Sequence, residues 1–98
     1  MYDIIFHPEA DAELLKAVQW YEEKREGLGN LFFLSGREIL KIILTRPETF
    51  GYSPKPFREA SVAFFPYTIV YKINKVRQLV YVSAVYHSSR NPRKKFRK

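Results

Sequence analysis

The chain has 98 residues, no cysteine, 46% hydrophobic residues and 16% aromatics, among them eight Phe and seven Tyr. That is one domain, residues 1–98, with enough apolar area for a core; a disulfide framework and a Cys-based metal site are both excluded. Its net charge of +7 is uneven, because residues 1–49 hold six Lys/Arg against nine acids while residues 50–98 hold eleven against Glu59 alone.

Tyr2 to Phe6 is apolar and β-prone, and His7-Pro8 ends it. Pro8 suits the first turn of a helix, where its missing N–H would be unpaired anyway, and Glu9, Asp11 and Glu13 complement the helix dipole. A helix over 8–25 follows, with Ala10, Leu14, Ala17, Val18 and Tyr21 on one stripe and Glu13, Lys16, Glu22 and Glu23 off it. Gly27 and Gly29 stop it. A second helix spans 30–45, with Phe32, Gly36, Ile39, Leu40 and Ile43 on one face and Pro47 at its exit. Gly36 lacks a Cβ and is expected at the closest approach of the two helices. Together they read as an αα-hairpin.

The rest is strand-like. Residues 51–56 form a loop, Phe57-Arg58-Glu59 is extended, Ala60-Ser61 is a turn, and Val62 to Phe65 is a strand that Pro66 limits. Tyr67 to Asn74 continues it, Lys75-Val76-Arg77 turns, and Gln78 to His87 is the longest β-prone run. The basic tail, 88–98, holds six Lys/Arg and no acid. The fold class is therefore α+β: an N-terminal strand, an antiparallel helical hairpin, then a mostly antiparallel sheet of three to four strands, in the order β-α-α-β-β-β. Alternation puts Val80, Val82 and Ala84 on one face of the last strand. Tyr67 and Tyr71 share a face of the preceding one. Two helices cover one face only, so a Tyr-rich face is expected to stay open for a partner.

No apolar run reaches the roughly 18 residues of a membrane span, and residues 1–6 lack a signal peptide's basic region and cleavage site. A cytoplasmic protein is expected. Two histidines far apart make no metal cluster, and neither a phosphate-binding Gly loop nor any cofactor motif is present. The positive second half favours a polyanionic or acidic partner, against the plainer reading of a solvated basic face.

Phe6-His7-Pro8-Glu9-Ala10, Trp20-Tyr21-Glu22-Glu23, Gly27 to Phe32, Arg46-Pro47, Arg58, Phe65-Pro66-Tyr67 and Val85 to Pro92 occur in an order and spacing that resemble the RelE/ParE toxin superfamily, in particular its ParE-like, plasmid-stabilisation branch. The resemblance covers essentially the whole chain. It implies the toxin of a type II toxin–antitoxin system, neutralised by a cognate antitoxin and inhibiting bacterial growth. ParE-like members poison DNA gyrase and halt replication; RelE-like members cleave mRNA in the ribosomal A site without a metal and are enzymes. Gyrase is the favoured target on sequence, because the stretch from Val62 to Asn74 carries Lys72 alone where RelE-like toxins carry a basic cluster. The alternatives are the ribosome-dependent endonuclease, a plain nucleic-acid-binding module and a degenerate toxin kept as an antitoxin partner.

A nuclease of this kind needs a base, an acid and cations for the phosphoryl charge. The groups available are Arg58, His87, Arg90, Lys55 and Tyr86, with Lys16 and Lys41 not obviously near them. Arg58 is equally suited to a structural ion pair with Glu59 or a helix acid, His87 to a structural role, and His7 reads as structural. Trp20, Tyr21, Tyr67, Tyr71 and Arg58 are candidates for antitoxin contact, although Trp20 and Tyr21 also fit hairpin packing. Arg90, Arg93, Lys94, Lys95 and Arg97 are candidates for target contact, as a flexible polyanion-binding tail. Phe65-Pro66-Tyr67 reads as a shape element of the sheet.

Overall fold

A computed structural model describes residues 1–90, 92 and 94–97. The elements are β1 (Asp3–Phe6), α1 (Pro8–Lys24), α2 (Leu28–Thr45), β2 (Phe57–Ser61), β3 (Tyr67–Asn74) and β4 (Leu79–His87). The strands form one sheet in the order β1-β4-β3-β2. The β2–β3 and β3–β4 pairs are antiparallel, and β1 lies parallel to β4. This is the expected β-α-α-β-β-β, mostly antiparallel α+β architecture. No helix among the described residues is long and apolar enough to cross a membrane.

Local chemistry sets the helix ends. The Nδ1 of His7 accepts the Glu9 N–H at 3.0 Å and caps α1, with Pro8 in the first turn. Gly27 adopts φ +86°, a left-handed conformation that favours glycine, and reverses the chain into α2. The Glu22 carboxylate then accepts the N–H groups of Gly27 (2.9 Å) and Gly29 (3.0 Å), placing an anion at the N-terminus of α2. The second helix thus begins two residues earlier than the sequence reading puts it.

The close approach of the helices is at Gly29, not Gly36. A Cβ on Gly29 would lie 2.5 Å from the Val18 carbonyl oxygen and 2.9 Å from the Glu22 Cβ, whereas one on Gly36 meets nothing within 4 Å. The hairpin's apolar stripe buries Ala10, Ala17, Tyr21, Phe32 and Ile43 against Ile69, Tyr71, Val80, Val82 and Val85 of the sheet. Tyr21, Phe32 and Phe65 form a ring cluster with centroids 4.9–5.1 Å apart, mostly edge to face.

Two further sequence expectations fail in the sheet. Val62 to Phe65 is the turn between β2 and β3, and Ala60-Ser61 is strand. Phe64 takes φ +66°, the Val62 N–H closes the turn on the Tyr67 carbonyl at 2.9 Å, and Phe65 is apolar because it packs on α1 and α2. Within β4, Val70 pairs with Ala84 but Tyr71 pairs with Val82, so Ser83 is an extra residue, a β-bulge. The bulge breaks strict alternation. Val80, Val82 and Val85 face the helices, while Ala84 joins Phe57, Val70 and Tyr86 on the far face.

The Tyr-rich face is not open. Tyr71 is fully buried under the helices, and its hydroxyl donates to the Pro47 carbonyl at 2.6 Å. Burial pushes the Tyr71 phenol up to about 12, against the opposing field of Arg58 and the hydrogen bond at Phe50. The far face is covered too, by tail residues 94–97. Phe96 stacks on Phe57 with centroids 5.2 Å apart, and the Ser83 hydroxyl donates to the Lys95 carbonyl at 2.6 Å. The same hydroxyl accepts the Arg97 N–H at 2.5 Å.

The tail also finishes an exposed edge. After the His7 N–H reaches the Val82 carbonyl, β1 leaves the sheet and β4 continues without that neighbour. The Glu13 carboxylate accepts the Val85 N–H at 3.0 Å, and the Arg97 guanidinium donates to the Ser83 carbonyl at 2.9 Å. Side chains from α1 and the tail thereby satisfy backbone groups that a strand would otherwise pair.

Candidate functional site

At its C-terminal end β4 pairs with the start of β3, so His87 lies opposite Tyr67 and their rings meet edge to face at 5.3 Å. The chain then turns tightly. The Ser88 N–H donates to the Pro66 carbonyl, the Ser88 and Thr68 hydroxyls meet at 3.0 Å, and the Arg90 N–H returns to the His87 carbonyl at 2.9 Å. This brings Arg90 beside Tyr67. Burial raises the Tyr67 phenol above its ordinary value, and the Arg90 charge opposes that rise.

These residues form one wall of an open cleft of about 460 Å³, and α1 forms the other. Glu13, Lys16, Ala17 and Trp20 face it at spacings of three, one and three, which is one side of a helix. Lys16, which sequence alone does not place near His87, is therefore a site residue. The signal was present in that spacing, but it needed His87 and Arg90 on the opposing wall to acquire meaning.

The charge in the cleft is positive. Glu13 is held by both terminal nitrogens of Arg97 at 3.0 Å, so Lys16 and Arg90 are left facing the opening. The Nδ1 of His87 accepts the Ser89 N–H at 3.2 Å and lies 2.7 Å from the Ser89 hydroxyl. An accepting Nδ1 assigns the proton of the neutral ring to Nε2. Among the described residues, two cations, an imidazole with an assigned tautomer and a phenol thus converge on one opening. That combination can bind a phosphodiester and supply hydrogen-bond donors to its oxygens.

The other sequence candidates direct their functional groups elsewhere. Arg58 is buried and donates to the Phe50 carbonyl at 2.6 Å, with the Glu48 carbonyl at 3.5 Å and its guanidinium carbon 4.0 Å from the Tyr52 ring centre. It is a structural group, held by backbone carbonyls rather than by Glu59 or a helix acid. Lys55 sits over the same Tyr52 ring at 4.8 Å. Arg58 pairs with Tyr71 in register, four residues along β3 from Tyr67, so it stands roughly 13 Å from the cleft.

Tyr86 borders the cleft, but its ring projects to the far face, where its hydroxyl donates to Glu59 at 2.7 Å and accepts from Lys95 at 3.3 Å. Burial and the Glu59 carboxylate push the Tyr86 phenol up. Burial also penalises the Glu59 charge, but hydrogen bonds from Tyr86 and Ser53 and the Lys95 charge outweigh it, leaving Glu59 below its ordinary value.

Of the antitoxin candidates, Trp20 and Tyr67 line the cleft, whereas Tyr21, Tyr71 and Arg58 are buried and offer a partner almost no surface. Of the target-contact candidates, Arg90 and Lys94 are available. Lys95 and Arg97 are paired with Glu59 and Glu13, with side chains only 14% and 12% exposed, so this part of the tail is a folded strap. Arg93 lies outside the described residues.

Two packed helices on a four-stranded mixed sheet of this order and connectivity constitute a RelE-like α+β fold. The chain is similar to the crystal structure of the isolated E. coli RelE toxin, with a TM-score of 0.68, 18% sequence identity, and coverage of 93% of this chain and 88% of that one. No family model and no curated protein matches the chain.

Proposed function

We propose that this single domain is the toxin of a toxin–antitoxin pair, acting in the cytosol by cleaving mRNA on the ribosome. The observation that carries the reading is the convergence of Lys16, Arg90, His87 and Tyr67 on one open cleft. Attack of a ribose 2′-OH on its own phosphodiester needs positive charge at the phosphoryl oxygens and groups that move protons. Lys16 and Arg90 hold the phosphate, and His87, its tautomer set by Ser89, serves the oxygens. The similarity in fold to a RelE toxin supports this reading over a gyrase-directed one.

The antitoxin, on this reading, covers Trp20 and Tyr67 and so closes the cleft. Its acidic side chains meet Lys16 and Arg90, giving electrostatic complementarity at the mouth.

One observation favours the gyrase-directed alternative. Lys72 is the single cation on β3, and its ammonium lies over the rings of Phe57 and Tyr81, away from His87. Brief induction in a bacterium separates the two. The nuclease reading expects mRNA ends in phase with codons on stalled ribosomes, lost in His87→Ala and Arg90→Ala. Arrest of replication with intact mRNA would overturn it.

A further inference from the structure

The wall of the cleft formed by α1 does more than supply a cation. Trp20 lines the opening with half of its surface exposed. The indole is held in place by the edge-to-face ring of Tyr21, with centroids 5.0 Å apart, and by the Lys24 ammonium 4.8 Å from its ring centre. A large aromatic side chain held this way and still half exposed is a ready stacking surface. Lys16 stands one helical turn back along α1, about 6 Å in rise, and Arg90 and His87 stand across the cleft.

Aromatic faces alternating with cations are what single-stranded nucleic acid requires: bases stack on the rings while the backbone follows the charge. Among the described residues the one acid of the cleft, Glu13, is already neutralised by Arg97, so it does not repel a phosphate.

From this arrangement we infer that Trp20 is a base-stacking platform for single-stranded RNA, positioning the nucleotide beside the phosphodiester that meets Lys16, Arg90 and His87. The inference rests on the RNA reading of the cleft and adds to it a specific positioning residue that touches a base and takes no part in proton transfer. A duplex, whose bases are already stacked on one another, does not offer this contact.

Trp20 is the only tryptophan in the chain, so indole fluorescence reports on this cleft alone. The probe is a short single-stranded oligoribonucleotide with 2′-O-methyl riboses, which cannot be cleaved, compared with the same backbone lacking bases. Titration into the intact protein is expected to quench the indole with the full oligonucleotide and not with the abasic one. Binding read by anisotropy of a labelled oligonucleotide should weaken roughly tenfold or more in Trp20→Leu and recover in Trp20→Phe. Circular dichroism of both variants confirms that the fold is kept.

Equal binding of the abasic backbone, absence of quenching, or unchanged affinity in Trp20→Leu would overturn the platform. The two readings fail separately. Codon-phased cleavage that persists in Trp20→Leu, with no indole quenching in the wild-type protein, removes the platform and leaves the nuclease. Quenching that depends on bases, in a protein that cuts no mRNA, keeps the platform and removes the nuclease.

Discussion

The Arg97 guanidinium donates two hydrogen bonds to the Glu13 carboxylate, each at 3.0 Å, across 84 residues of sequence. The same guanidinium reaches the Ser83 carbonyl, and the same carboxylate accepts the Val85 N–H, so the pair fastens the tail, α1 and the free edge of β4 together. Arg97→Ala should cost about 2 kcal/mol, the scale of charge-assisted hydrogen bonds removed from a mostly buried site. A urea midpoint unchanged from wild type would show the tail to be held by Phe96 and Lys95 alone.

Exchange of each helical glycine for alanine separates the two candidate contact points. Gly29→Ala forces a methyl against the Val18 carbonyl and should destabilise by about 1–3 kcal/mol through overpacking. Gly36→Ala meets no atom and gains helix propensity, so it should stabilise by up to about 1 kcal/mol. Denaturant midpoints of the two variants should therefore move in opposite directions.

Acid sensitivity should follow Glu59. Its folded pKa lies below the ordinary value of 4.5, so the native state favours the ionised carboxylate. The stability this contributes is present above the unfolded pKa and is lost as pH falls through the lower folded value. Between pH 7 and pH 3 the unfolding free energy of Glu59→Gln should decline less steeply than that of wild type. Parallel curves would mean that other carboxylates carry the acid limb.

Chemistry and stability should separate between His87 and Arg58. His87→Ala removes a group at the cleft mouth and should lower mRNA cleavage about 10²-fold with little change in thermal midpoint. Arg58→Ala removes a buried guanidinium together with its hydrogen bonds to the Glu48 and Phe50 carbonyls, so it should lower the midpoint first. A stable Arg58→Ala protein with cleavage as weak as that of His87→Ala would place Arg58 in the chemistry after all.

The helices were legible because their apolar spacing is unambiguous and because Pro8, Gly27 and Pro47 punctuate them. The sheet was legible as strands but not as faces. Both sides of β4 are apolar, so nothing in Val80 to Val85 marks Ser83 as the extra residue that moves Ala84 across. Val62 to Phe65 misled for a related reason, since Phe65 is hydrophobic to pack on the helices from a turn. In the cleft, His87 and Arg90 were legible as chemical types close in sequence. Lys16 was not, because its relation to them depends on which strand α1 crosses. The tail's attachment is not legible, because its charges have no nearby acid in sequence; their partners, Glu13 and Glu59, are supplied by topology.

The order β1-β4-β3-β2 makes the final strand an interior one. During synthesis, β1 has no neighbour in the sheet, and the β2–β3 pair is not joined to it, until residues 79–87 have left the ribosomal tunnel. Two of the three strand pairings, β1–β4 and β3–β4, therefore wait for β4, and the β1–β4 pair closes a loop of more than seventy residues, the kind of non-local contact that slows folding. His87 sits at the end of that late strand, so the cleft is assembled last. Until β4 and the turn after it have emerged the chain carries no formed cleft, and a partner already bound to the hairpin would meet the site as it forms.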